Sequence, residues 1–372
     1  MIALRHTLPL SVPGTERHIV SWQFGQPGAR PKAYLQAGLH ADEWPPMLIM
    51  HHLKRLLTQL EADRALIGEI IAIPSANPIG LAQIVHGVPF GRFNLSDGRN
   101  FNRGYPALGE AVDEIVAGQL TGDSDRNAAL IRAAMRQALA EDAVVDEAQA
   151  LKQWLMSQAC DADIVLDLHC DNEALMHVYA GADHPRVSMS LAMLTGACAL
   201  LTSSESGDHP FDEAVSAPWA YLARRHMAQF PIPSACFSAT VEFRGQTDIS
   251  HELASDDARH LIQFLALQGV ITLAPFDLPA PQCEATPLDA VETISAPHGG
   301  LVVPVRRLGS RIYPGETVAE LIDPVAGGVT VLEAHRPGLL FARTGQRYVA
   351  AGSRVAKLAG VTSFRKGNLL GP

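Results

Sequence analysis

The chain has 372 residues, 47% of them hydrophobic and 18% charged, with 30 Gly and 25 Pro. That composition supplies cores for two or three globular domains and excludes disordered, collagen-like and membrane-spanning classes, since no apolar run reaches roughly 18 residues. The formal net charge of −10 argues against nucleic acid as a partner and points to a metabolic enzyme or a small-molecule binder.

At the start, Arg5 and His6 stand where a signal peptide needs its apolar core, so the expected compartment is the cytoplasm. Up to about residue 275, β-like runs alternate with helical stretches, the α/β pattern. Strands are predicted from Lys32 to Leu39, Glu69 to Pro74, Asp163 to Leu168 and Phe237 to Phe243, and their apolar runs suit central strands covered on both faces. Pro45-Pro46 opens a helix running to about Leu60. From Leu108 to Met156 the chain reads as helical, and nine acidic against three basic residues between Glu110 and Glu147 mark a solvated face. The five cysteines, an odd number without C-x-x-C spacing, indicate neither a disulfide framework nor a cysteine zinc site.

After about residue 280, β-branched residues, glycines and prolines replace the helical period. Residues 287–372 hold ten Lys and Arg against six Asp and Glu, so the tail is about +4 and the rest about −14. Ala296 to Leu301 followed by Pro314 to Leu321 is echoed by Ala334 to Leu339 followed by Ala351 to Leu358. Two such halves predict a small β-sandwich with pseudo-twofold symmetry. The pattern resembles the biotinyl/lipoyl carrier fold, the barrel-sandwich hybrid, in which carriers place a modified lysine on the hairpin joining the halves. The joining segment here, Asp323 to Glu333, has no lysine, and Lys357 and Lys366 are the tail's only ones. A structural or substrate-shaping appendage is therefore expected.

Four motifs carry chemistry. His40 and Glu43 form H-x-x-E just past the first predicted central strand, where imidazole and carboxylate can be aimed at one zinc ion. His169, in Asp167-Leu168-His169, ends another buried run, and the resulting His, Glu, His set leaves a fourth zinc position for water. Glu242, in Thr240-Val241-Glu242-Phe243-Arg244, is a carboxylate among hydrophobic neighbours that can act as general base, unless it pairs with Arg244. The segment Asp97 to Pro106 supplies Arg99, Asn102 and Arg103, preceded by Asn77-Pro78-Ile79-Gly80 and by Gly91-Arg92. A guanidinium fork beside an Asn suits a substrate carboxylate, and Arg92 or Arg99 suits the oxyanion of a tetrahedral intermediate. The competing reading of this segment is a turn-rich loop with surface ion pairs.

In this order the four motifs resemble the succinylglutamate desuccinylase/aspartoacylase branch of the zinc carboxypeptidase clan over about residues 33–245. The resemblance implies a three-layer, mixed-sheet α/β catalytic domain, 1–280, followed by a small all-β domain, 281–372, like a carrier without its lysine. It implies one zinc per chain on His40, Glu43 and His169, Glu242 as base and proton shuttle, Arg92 at the oxyanion, and Asn102 and Arg103 at the substrate, where Arg99 is a further candidate by position. The expected activity is hydrolysis of an amide, or an ester, in a small anionic substrate such as an N-acyl amino acid. A carboxypeptidase acting on short peptides and a zinc- or ligand-binding protein without catalysis are the alternatives. The sequence leaves the oligomeric state open, a homo-oligomer included. Cys170 and Asp171 depart from a glycine-rich neighbourhood common in the branch and read as pocket-lining, Asp171 also as orienting a ligand. Tyr105, Tyr179 and Tyr221 compete for the role of an assisting tyrosine.

Overall fold

The computed structural model describes residues 1–9, 12–367 and 369. Nine strands form one sheet in the spatial order Ile2–Thr7, His18–Phe24, Ile70–Ile73, Ala33–Ala37, Ile164–Asp171, Phe237–Gly245, His177–Gly181, Ala199–Ser203 and Ala285–Pro287. The four strands from Ile70–Ile73 to Phe237–Gly245 run parallel, while His18–Phe24 and His177–Gly181 pair with them antiparallel, so the sheet is mixed. These four are the predicted central strands, with ends shifted by up to three residues.

Alternation along each strand divides the side chains between two apolar layers. Ile164, Leu166 and Leu168, with Phe237, Ala239 and Val241, bury against helices Pro45–Ala62, Pro185–Thr195 and His251–Leu267. On the opposite face, Tyr34, Ile71, Ile73 and Val165 pack on Gly109–Val116, Ser124–Glu141, Glu147–Ala159 and Phe211–His226. The acidic helical stretch is thus three helices, two of them started by aspartates: Asp123 accepts from the N–H of Asp125 and Arg126, and Asp146 from that of Gln149. No helix among the described residues is long and apolar enough to cross a membrane.

The second face turns polar toward the carboxyl ends of the parallel strands. Gln36, Asp167 and Thr240 share one register row, and His169 and Glu242 share the next. Five polar residues are therefore adjacent, and Gln36, Asp167 and His169 satisfy one another there.

The tail forms two facing sheets around Ile294, Val302, Leu321, Leu340 and Leu358. The repeat explains their order. Gly300–Pro304 and Thr317–Ile322, from the first half, pair in one sheet, and Gly338–Arg343 and Arg354–Ala359, from the second, pair in the other. Each half then sends a short edge strand across: Arg311–Ile312 pairs with Gly338–Arg343, and Tyr348–Val349 with Gly300–Pro304. Among the described residues, two strand pairings tie the tail to the body. Ala285–Pro287 completes the large sheet's edge, and Glu173–Ala174, just past His169, adds to the tail's Gly338–Arg343 strand.

Candidate metal centre and substrate cavity

The loop after strand Ala33–Ala37 is held from three sides. Asn77, in the Asn-Pro-x-Gly motif, donates from Nδ2 to the Leu39 carbonyl at 2.9 Å and caps the turn Pro78–Leu81 by accepting from the Gly80 N–H. Ala41 donates its N–H to the Gly91 carbonyl at 3.0 Å. A Cβ at Gly91 would lie 2.1 Å from the Asp42 nitrogen, so only glycine lets the Arg92 loop lie flat on this one. Glu43, followed by Trp44 at the start of helix Pro45–Ala62, is buried beneath the loop.

Three predicted residues converge there. One ligand atom from each of His40, Glu43 and His169 lies within 4.8 Å of the others, and all three side chains are buried. Glu43 Oε1 is 2.9 Å from His40 Nδ1, and Glu43 Oε2 is 2.8 Å from His169 Nδ1. The Cys170 N–H also donates to Glu43 Oε2 at 3.0 Å. Each imidazole turns its far nitrogen to an oxygen: His40 Nε2 to Asn100 Oδ1 at 2.8 Å, and His169 Nε2 to Asp167 Oδ2 at 2.8 Å. Asp167 is fixed in turn by Gln36 Nε2 at 2.9 Å, and Gln36 by the Tyr34 hydroxyl at 2.6 Å. Two imidazoles oriented through their second nitrogens and one carboxylate fit a divalent metal ion, and three protein ligands leave a coordination position open.

The electrostatics agree with that use. Burial and the Arg92 guanidinium push His40 down to about 4, so its imidazole is neutral at neutral pH. Burial opposes charge on His169, yet Asp167 and Glu43 on either side outweigh it and raise its pKa. Burial likewise works against the Glu43 carboxylate, which His169 and His40 nevertheless hold well below its ordinary value. In the metal-free protein His169 therefore carries a proton that a bound cation would displace.

Beside the cluster is a cavity of about 80 Å³ lined by His40, His169, Glu242, Asn102, Arg103 and Arg92, among others. Glu242 Oε2 is buried there without a hydrogen-bond partner, and burial with the neighbouring Glu43 raises its carboxyl to about 8. The alternative pairing with Arg244 is not formed, because Arg244 binds Asp257. Arg92 Nη1 is 3.1 Å from Glu43 Oε1 and 3.2 Å from His40 Nδ1. Asn102 accepts the Phe211 N–H at Oδ1, 2.8 Å, which turns its Nδ2 to 3.4 Å from His169 Nε2. Arg103 donates to the Asn102 carbonyl at 2.6 Å, and burial followed by the Arg92 charge lowers its pKa.

Not every predicted residue is gathered. Arg99 has a side chain 66% exposed, 3.7 Å from Asp97, and lines a separate hollow with Lys152 and Asp146. Cys170 lines neither cavity at the cluster, and burial raises its thiol pKa well above the ordinary value. Asp171 does not orient a candidate ligand: its carboxylate binds Lys357 Nζ at 2.5 Å, and Asp167 and Asn100 face His169 and His40 instead. Of the three tyrosines only Tyr179 lines the cavity, its hydroxyl raised by burial to about 12. Tyr105 lies in the apolar core and Tyr221 packs against Gly109.

Sequence reasoning missed further lining residues. Asp212, at the start of helix Phe211–His226, is raised by burial and the adjacent Glu213 to about 7. Arg354 and Lys357 arrive from the tail. Asp167 and Asn100 had a signal, each standing two residues before a motif residue, whereas nothing local marks Lys357.

The family model for the Succinylglutamate desuccinylase/Aspartoacylase catalytic domain matches residues 29–267, a span that contains every residue of the cluster. Solved structures extend the likeness through the tail. A protein of Shewanella amazonensis SB2B assigned to the succinylglutamate desuccinylase/aspartoacylase family is 25% identical, with a TM-score of 0.85 over 96% of this chain and 98% of that one. One from Shewanella frigidimarina NCIMB 400 is 23% identical, with a TM-score of 0.83 over 96% of each chain. The product-bound ectoine utilization protein EutE (DoeB) of Ruegeria pomeroyi is 17% identical, with a TM-score of 0.68 over 97% of this chain and 95% of that one, a likeness of fold. No curated protein matches in sequence. With the His40, Glu43 and His169 cluster inside the matched span and the fold shared over 96% of its length, the chain belongs to the succinylglutamate desuccinylase/aspartoacylase family of hydrolases.

Proposed function

We propose that the protein is a zinc-dependent hydrolase cleaving the amide bond of a small carboxylate-bearing substrate, such as an N-acyl amino acid. We read residues 1–280 as its catalytic unit and 281–372 as a β appendage that narrows access. The carrying observation is the meeting of His40, Glu43 and His169 with the unpartnered Glu242 carboxylate in a cavity that also holds Arg92, Asn102 and Arg103. A divalent ion on the first three residues supplies Lewis acidity toward the carbonyl and a lowered pKa for water.

The chain's own groups do the rest. Glu242 accepts the proton of the attacking water and returns it to the leaving nitrogen. Arg92, next to the ligand set, donates to the oxygen that becomes negative as the carbonyl carbon turns tetrahedral. Arg103 and Asn102 hold the substrate carboxylate. The cavity wall carries four cations, Arg92, Arg103, Arg354 and Lys357, beside the carboxyls of Asp212 and Glu213, both raised by burial.

Metal analysis of purified protein, then turnover of acetyl, succinyl and formyl amino acids beside dipeptides, with and without chelator, tests the reading. The expected result is about one zinc per chain and chelator-sensitive cleavage of an acyl amino acid. Glu242→Gln is expected to lose about 10²- to 10⁴-fold in kcat with its zinc content unchanged. A fully active variant overturns the mechanism, and a zinc-loaded wild type inert on the whole panel favours a binding protein.

A further inference from the structure

A second cavity, of about 1050 Å³, also reaches the cluster. Glu43 is in its wall, and Arg92, Arg354 and Lys357 line both cavities, so the two meet at the cluster. They differ in size by an order of magnitude and in chemistry.

The charges of the large cavity are mutually compensated. Glu43 faces Arg92 at 3.1 Å, Asp171 faces Lys357 at 2.5 Å, and Glu173 faces Arg343 at 2.6 Å. The remaining lining charges, Asp42 and Arg354, are one of each sign. The formal charges of the lining sum to zero, with Arg354 exposed. The cavity's exposed lining residues include Thr247, Gln346 and Arg354, but the larger group is apolar: Trp44 at 39%, Val88 at 54%, Phe90 at 44%, Phe93 at 37% and Leu95 at 55%. Trp44 follows the ligand Glu43 directly. The other four come from the hairpin Ile84–Val85/Val88–Pro89 and the loop after it, on either side of Arg92. Exposed apolar residues gathered along one wall of a cleft, rather than scattered, mark a binding surface.

We infer that this cavity is an acyl subsite for a bulky apolar acyl group, alkyl or aryl. The inference rests on the amide-hydrolase reading and deepens it. With the substrate carboxylate at Asn102 and Arg103 in the small cavity and the carbonyl at the cluster, the acyl chain on the far side of the scissile bond enters the large one. An acetyl group would leave that space to water, and a succinyl carboxylate would find no uncompensated cation beside it except the rim residue Arg354. An octanoyl or phenylacetyl group would cover Trp44, Phe90 and Phe93.

The test uses the full-length, zinc-loaded protein with N-acetyl, N-succinyl, N-octanoyl and N-phenylacetyl derivatives of alanine, phenylalanine and glutamate, beside dipeptides. The expected kcat/KM for the octanoyl or phenylacetyl compound exceeds that for the acetyl and succinyl compounds by about tenfold or more, and Phe90→Ser lowers that ratio about tenfold. Phe90 is half exposed, so the variant keeps its fold. Faster turnover of acetyl or succinyl compounds, or of dipeptides, with a ratio insensitive to Phe90→Ser, overturns the acyl subsite and leaves the hydrolase reading standing. Calorimetric binding to the zinc-loaded Glu242→Gln protein reads the subsite without turnover. N-octanoyl binding about tenfold tighter than N-acetyl, and weakened by Phe90→Ser, supports it; equal binding overturns it even if the hydrolase reading has itself failed on an inert panel.

Discussion

The carboxyl edge of the large sheet and the tail strand Arg354–Ala359 reach the same cavity by different means. On the sheet edge, position is over-determined. His40 and Glu43 share one four-residue loop pinned by Asn77 and packed on Gly91, while His169 and Glu242 are adjacent in strand register, and His40, Glu43 and His169 are at most 3% exposed. Lys357 comes from 186 positions beyond its partner Asp171, with a side chain 26% exposed and one ion pair holding its tip. The candidate ligand side chains are thus each held by several neighbours, and the Lys357 tip, on a strand paired on both sides, by one. The two should be separable: damage to the sheet edge should cost metal, and damage to the tail should cost rate or stability with the metal retained.

The largest expected effect tests the first half of that statement. Asp167→Asn keeps the side-chain shape, and its Oδ1 can still accept from Gln36, but it removes the negative charge facing His169 Nε2. Zinc affinity, measured by competition with a chelator, should weaken about 10- to 100-fold, the usual cost of losing a partner that orients a metal-bound imidazole. An unchanged affinity would show that strand register alone orients His169, and would dissolve the distinction between a hydrogen-bonded edge and a tethered tail.

The same contrast sets what was legible in the sequence. His40, Glu43, His169 and Glu242 stand at the ends of apolar runs, and a strand end in an open α/β sheet is where a site is expected. Asp167 was within reach, because two residues before His169 is the same face of one strand. Asp171 lies beyond the last ligand on that strand and meets the tail instead. Arg99 suits the chemistry by type and spacing, yet its own N–H bonds Asp97 in a tight turn that carries the guanidinium outward. The tail's two halves were legible because Gly-Leu and Val-Ala-x-Leu recur, but the exchange of edge strands and the destination of Lys357 depend on contacts without local period. The apolar hairpin beside Arg92 was equally silent, since Val, Phe and Leu in a short loop read the same whether they face solvent or a ligand.

A smaller effect is expected from Lys357→Met. It removes the cation from Asp171, whose carboxylate the lysine helps hold down at about 2 despite burial. Leaving that partly buried carboxylate unpaired should cost about 1–3 kcal/mol of stability, read by urea unfolding, and lower kcat/KM by about tenfold. Zinc stoichiometry and affinity should match the parent, and Lys357→Arg should recover part of the loss. Loss of zinc in the methionine variant would place the tail inside the metal-binding unit and collapse the comparison.

The smallest expected effect concerns the other tether, Glu173, which accepts from Arg343 Nε at 2.6 Å and also binds Arg347. Burial alone would raise its carboxyl, but the two arginines lower it below the ordinary Glu value. The folded state thus releases this proton more readily than the unfolded chain, so the contribution to stability is complete above the unfolded pKa of about 4.3 and is lost as pH falls through the folded one. The pair is partly exposed, with a quarter of each side chain accessible, so the contribution is about 1 kcal/mol or less. Wild type should therefore lose slightly more stability than Glu173→Gln between pH 7 and pH 4, measured by urea unfolding of metal-free protein at each pH. Equal losses in the two proteins would mean that docking of the tail rests on its β-pairing to Glu173–Ala174 and on the apolar contacts of Ala174 and Phe341, with the ion pair a passenger.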